Sequence, residues 1–223
     1  MSFPNGYEGV KKLFTSEILN LIGGFCLLIS GCFSVAMLAE MSEGAEAGTG
    51  VAGIGTIVFL VASGVVSLIT YIFKLIGLKK AGDDEPNFRT AFILAIFGLV
   101  VTLAATIIGA INSESGVAMN ASRVFGSVIN IAITVLVIAG VANFAHALNK
   151  PKIINAGSKL LTIIVVMYTI SIIAALIPIF FGTGETTSTI SGILAIVSAV
   201  FSIIAYIVFL VYLGKAKKML RDN

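Results

Sequence analysis

Six stretches of this chain carry no charged residue: 18–39, 47–73, 90–113, 124–149, 160–184 and 186–214. Each exceeds the ~20 apolar residues that an α-helix needs to cross a hydrocarbon core. None alternates polar with apolar as the strands of a membrane barrel do. The pattern predicts an all-α membrane protein of six transmembrane helices, at roughly 17–39, 51–78, 89–112, 124–148, 158–181 and 189–214. They form a single transmembrane domain, 1–223. The first stretch follows Lys11 and Lys12, as a signal peptide would, but its 22 residues outrun the 7–15-residue core of such a signal. It is read as a retained first helix.

Composition agrees with the pattern: 58% of the residues are hydrophobic and 11% charged, too few charges to cover a water-soluble surface of this size. The placement of the basic residues adds an orientation. Every Lys and Arg except Arg123 flanks helix ends that the six-helix pattern puts on one side. By the positive-inside rule that side is cytoplasmic, both termini lie there, and the helices form three parallel hairpins. The opposite loops, 40–50, 112–123 and 182–189, are short and mildly acidic. The net charge of +3 is then a topology signal. It points to membrane lipids as partners and not to nucleic acid. A multi-pass protein of the plasma (cytoplasmic) membrane is expected.

The chain repeats itself. "SLITYIFKLIGLKK" (67–80) and "SIIAYIVFLVYLGK" (202–215) share Ser67/Ser202, Tyr71/Tyr206 and Lys80/Lys215, an internal repeat at the ends of the second and sixth helices. "GVKK" (9–12) and "GLKK" (77–80) echo each other at the rim. Ser63, Ser67 and Tyr71 are four apart, as are Ser198, Ser202 and Tyr206, which lines up hydroxyls on one helix face. Small residues allow close helix approach: Gly23, Gly24 and Gly31 in the first helix, Ala105 and Gly109 in the third, Gly140 in the fourth, and Ser191, Ala195 and Ala199 in the sixth. Homo- or hetero-oligomerisation through such faces is an expected use of them. Pro178 is expected to kink or end the fifth helix.

Candidate chemistry is sparse. One histidine excludes His-rich metal sites, and Cys26 and Cys32 lie in one helix, too far apart to bridge and without zinc-ligand spacing. No catalytic motif occurs, so neither enzymatic activity, metal nor cofactor is expected. The acids of "DDEP" (83–86) suit the positive end of the third helix. Three ionisable groups, Glu17, Lys74 and His146, lie four or five residues inside the basic rim, and ionisable groups within spans are functional candidates. Glu17 and Lys74 have opposite charge on neighbouring helices: near helix ends such groups snorkel to the headgroups, and an ion pair between the two or a polar vestibule are the alternatives. One level deeper come Asn20, Tyr71, Tyr168 and Tyr206, which with Ser67 and Ser202 are candidates to line a cytoplasm-facing polar cavity. Asn130 reads as a second buried amide.

Three parallel hairpins resemble the layout of mitochondrial carriers. However, the P-x-[DE]-x-x-[KR] signature is missing after each odd helix, and the chain is shorter. Size and helix count are similar to the membrane-embedded substrate-binding components of bacterial vitamin uptake systems, with no motif behind the likeness. Two functions fit: a small transport or ligand-binding membrane protein using the polar cavity, or a non-transporting structural or accessory subunit whose small-residue faces bind other helices.

Overall fold

The computed structural model describes residues 3–42, 51–111, 116–181 and 185–222. Every regular element among them is an α-helix: α1 (Pro4–Ser42), α2 (Val51–Gly82), α3 (Pro86–Ile111), α4 (Gly116–Ala147), α5 (Pro151–Phe181) and α6 (Glu185–Arg221). A helix satisfies its own backbone donors and acceptors, which is what a segment in hydrocarbon requires. Among the described residues, five helices, α1 to α5, are long and apolar enough to cross a membrane. The chain is therefore a polytopic membrane protein. The sixth expected span, in α6, lies partly outside the residues whose side chains are described.

The helices overrun the uncharged stretches at their basic ends. α1 has 39 residues, about 58 Å of helix against a hydrocarbon core of ~30 Å. The residues ahead of the expected first span are thus helical from Pro4 onward. Proline marks these starts: Pro4, Pro86 and Pro151 are the first residues of α1, α3 and α5. Proline suits that position because its missing N–H has no partner there and its φ is already helical. Pro178 instead lies inside α5, which continues to Phe181.

Two compact units form, Lys11–Gly77 and Met1–Val10 together with Leu78–Asn223. In the first, α1 and α2 lie antiparallel along a line of small residues. Lys12 Nζ stands 5.3 Å from the centre of the Phe73 ring. Ser30 donates to the Thr56 carbonyl at 3.1 Å, and Phe33 stacks on Phe59 at 5.8 Å. A Cβ on Gly55 would meet the Phe33 ring at 2.7 Å, and one on Gly23 would meet Val66 at 3.3 Å.

In the second unit, α3 packs antiparallel on α4, α5 packs on both α4 and α6, and α4 also touches α6. Phe88 nests on Gly140, where a Cβ would come within 2.5 Å of its ring; ten residues on, Gly98 receives Ile129 at 3.0 Å. The largest fully buried side chains of this unit, among them Phe88, Phe144, Leu78, Leu160 and Leu213, come from the basic ends of their helices. Farther along, isoleucine, leucine and valine are exposed on helix after helix, as expected where the solvent is lipid. Among the described residues the largest buried side chains of this unit lie toward the basic ends of its helices.

The α4–α5 turn shows how an end is closed. Lys150 N–H donates to the Ala145 carbonyl at 2.8 Å and Asn149 N–H to the His146 carbonyl at 3.0 Å, the paired bonds of a Schellman motif. Asn149 takes the left-handed conformation this needs, with φ 54°. Pro151 then restarts the chain as α5. Replacing Asn149 by valine is expected to lower stability by about 1–2 kcal/mol, since a branched side chain fits poorly at positive φ. Asn149→Gly is expected to be neutral. Thermal unfolding in detergent checks both; equal melting would show that the turn does not depend on a left-handed residue.

Candidate functional site

Polar side chains converge at the basic end of the second unit, and the α2–α3 turn supplies most of them. Gly82 brings the backbones close: a Cβ there would stand 2.9 Å from the Arg89 nitrogen. The turn so formed presents Asp84 to the start of α1. Asp84 Oδ2 accepts from the Gly6 N–H at 2.7 Å and Oδ1 from the Asn5 side chain at 3.2 Å. The residue before Pro4 is Phe3, whose side chain cannot accept a hydrogen bond, so α1 takes its capping carboxylate from 78 residues away. Negative charge at a helix N-terminus also opposes the helix dipole favourably. The acids of the DDEP segment thus divide their work. Asp84 caps α1, and Glu85, directly ahead of α3, accepts from Asn87 at 3.0 Å and from Asn143 of α4 at 2.8 Å.

Beneath these clasps lies Phe144. Its ring stacks on Phe88 at 5.7 Å and tilts against Phe3 at 4.9 Å. A Cβ on Gly6 would come within 2.7 Å of it. Gly6 is therefore needed for its missing side chain, which lets it lie buried against the ring with its N–H turned to Asp84.

A second convergence joins α4, α5 and α6. Tyr212 is buried, and its hydroxyl donates to the Ile138 carbonyl at 3.2 Å, using the spare lone pair of a mid-helix acceptor. It reaches there across Gly157, where a Cβ would stand 2.7 Å from the hydroxyl oxygen. This tyrosine lies three residues before the end of the repeated segment, in the position that Gly77 holds in the second helix.

The residues singled out in the sequence divide between the two units. Asn20, Ser67, Tyr71, Glu17 and Lys74 belong to Lys11–Gly77, and Tyr168, Ser202, Tyr206 and His146 to the other unit. Asn20 is exposed on α1 and Ser67 on α2; the Ser67 hydroxyl lies 4.0 Å from where a Gly23 Cβ would be. Tyr71, Tyr168, Tyr206 and Ser202 are half-buried, and each has a partner. Glu17 is half-buried and also partnered, but no ion pair joins it to Lys74 among the described residues. His146 is exposed in the last turn of α4, where its carbonyl serves the Schellman turn. Asn130 is exposed too, and not the buried amide that its place in the span implies. The side chains of Ser191, Ala195, Ser198 and Ala199 lie outside the described residues.

One hydroxyl stands apart. Thr15, Ser34, Thr90, Thr102, Thr134, Thr162 and Thr169 each donate to the carbonyl one turn back. Thr70, next to Tyr71, is buried with no hydrogen-bond partner for Oγ1. Among the described residues no three His, Cys, Asp or Glu side chains gather as metal ligands. Comparison with protein families, with curated proteins and with solved structures finds no match.

The Tyr212 contact generates a coupled prediction. Tyr212→Phe is expected to cost about 1 kcal/mol, the worth of one hydrogen bond. Gly157→Ala is expected to cost about 1–3 kcal/mol by overpacking. In the Tyr212→Phe background the alanine should cost less, because the hydroxyl it strikes is gone. Strict additivity in a double-mutant cycle would break the link between the two positions.

Proposed function

We propose that this chain is a non-enzymatic membrane subunit that works by binding another transmembrane helix through the α1–α2 hairpin. The observation that carries the reading is Asn20. Its side chain is exposed about two turns beyond Lys12, where an amide left without a partner in hydrocarbon costs roughly 2–7 kcal/mol. Polar residues in spans face protein or water. Gly24 and Gly31 fall within about 40° of Asn20 around α1, and a Cβ on either would meet nothing within 4 Å. A groove-forming glycine pair with an amide at one end suits a second helix, which would pack on the glycines and hydrogen-bond the amide. Gly64 on α2 is open in the same way.

One observation favours the other reading, a ligand-binding or transport protein. The unpartnered Thr70 hydroxyl beside Tyr71 is the kind of buried group that a bound small molecule satisfies. In that case the half-buried Tyr71 lines the site with it. In either reading the arrangement is three parallel hairpins with both termini on the cytoplasmic side of the plasma membrane. The basic rim supports this, and so does the proline that opens α1, α3 and α5 alike.

Mass photometry or light scattering in nanodiscs separates the readings. The parent is expected to run as an oligomer or with a co-purifying membrane protein. Asn20→Leu with Gly24→Leu should release a folded monomer. A parent that is monomeric and carries a small molecule, lost on Thr70→Val, would transfer the assignment to the ligand-binding reading. Topology is checked separately by a reporter enzyme fused after Asn223 and another in the 112–123 loop. Activity is expected in the cytoplasm for the first and outside it for the second; the reverse pattern would overturn the orientation.

A further inference from the structure

Charges at the basic end are unevenly matched. At the α2–α3 corner, Lys80 meets Glu8 at 3.7 Å, and Lys79 and Arg89 flank the run Asp83, Asp84, Glu85. Around the α4–α5 turn and the end of α6 the balance fails. Lys150, Lys152, Lys159, Lys215 and Lys218 are all exposed, and no described residue pairs with any of them. The acid at that end of α6, Asp222, is taken by Arg221 at 3.0 Å.

These lysines continue the lipid-facing stripes of their helices. On α6 the exposed positions Ile204, Ile207, Val211, Lys215 and Lys218 follow one another at helical spacing, while Phe209, Tyr212, Ala216 and Met219 are buried. On α5, exposed Val166 leads through Thr162 to Lys159, Asn155 and Lys152. The contact of Gly157 with Tyr212 sets the two helices in register. Lys152 and Lys218 therefore stand at similar height, about 8–9 Å beyond that contact toward the basic end. A molecule with an acyl chain on the isoleucine and valine stripe brings its headgroup to the lysines. A free phosphate would use only half of this surface.

We propose that the α5–α6 face binds an anionic phospholipid, with its chains along the exposed stripes and its phosphate between Lys152, Lys215 and Lys218. The α2–α3 corner, with its own acids, does not select for lipid charge. A basic cluster beside a span attracts anionic headgroups by about fivefold in affinity per residue.

The test uses the full chain in nanodiscs of phosphatidylcholine with phosphatidylglycerol, with retained lipid counted by native mass spectrometry. The parent is expected to retain phosphatidylglycerol preferentially. The triple variant Lys152→Gln, Lys215→Gln, Lys218→Gln should lose about fivefold or more of that preference. The control, Lys79→Gln with Arg89→Gln, should stay within about twofold of the parent. A Lys→Arg triple should keep the preference. Melting in pure phosphatidylcholine should be the same for all, and Lys218→Gln alone should move retention in the same direction. Three results would overturn the proposal: no preference in the parent, an equal loss in the control, or removal of the lipid by millimolar inorganic phosphate, which marks a free-phosphate site.

Discussion

Helices in a bilayer gain little by burying apolar side chains against one another, because lipid is as apolar as leucine. At the edge of the bilayer that changes, and Phe144 sits where it does. Its ring is the common contact of Phe3 before α1, Gly6 in α1 and Phe88 in α3. Burying a phenylalanine removes 150–250 Å² from water, so this one side chain gives three helix ends a reason to meet. The polar clasps follow from it. Once Gly6 lies against the ring, its N–H needs an acceptor away from water, and Asp84 is in reach only because Gly82 lets α2 and α3 approach.

The same arrangement spends the acids. Asp84 and Glu85 are held by helix-end donors and amides, Glu8 by Lys80 and Asp222 by Arg221. What remains at the basic end is mostly positive charge on α5 and α6. The exposed ion pair of Lys80 and Glu8 adds little stability by itself. Its consequence is distributional: it neutralises one corner and leaves another unbalanced. Net charge read from the sequence conceals this, because the sum does not say which charges are already matched.

Helix content and five of the six expected spans were legible, since absence of charge over more than 20 residues is a strong physical signal. Close approach was legible for Gly23 and Gly140, because a glycine in a span has few other uses. It did not hold for Gly24 and Gly31, which are open. Residues 23 and 24 differ by about 100° around the helix, and in a helix apolar all round nothing in the pattern says which face meets protein. For the same reason the pattern does not say what the exposed Asn20 and Ser67 face. The roles of Phe144 and Asp84 rest on contacts between residues 56 or more apart in sequence, beyond any local pattern. That Pro4, Pro86 and Pro151 open α1, α3 and α5 was readable too, since proline suits the first helical position.

The two functional readings differ in where polarity faces. A transport or ligand-binding site needs polar groups turned toward a shared interior, with water or ligand to satisfy them. Of the residues singled out at that depth, the tyrosines are half-buried and partnered; among the described residues Thr70 is the buried side chain in want of a partner. An assembling subunit needs the opposite: small residues and an amide turned outward, stable only when covered. Asn20, Gly24 and Gly31 meet that description on a single face of α1. A leucine at each of these positions would suit lipid at no cost to the fold, so an amide and two glycines make physical sense there only if something packs against them.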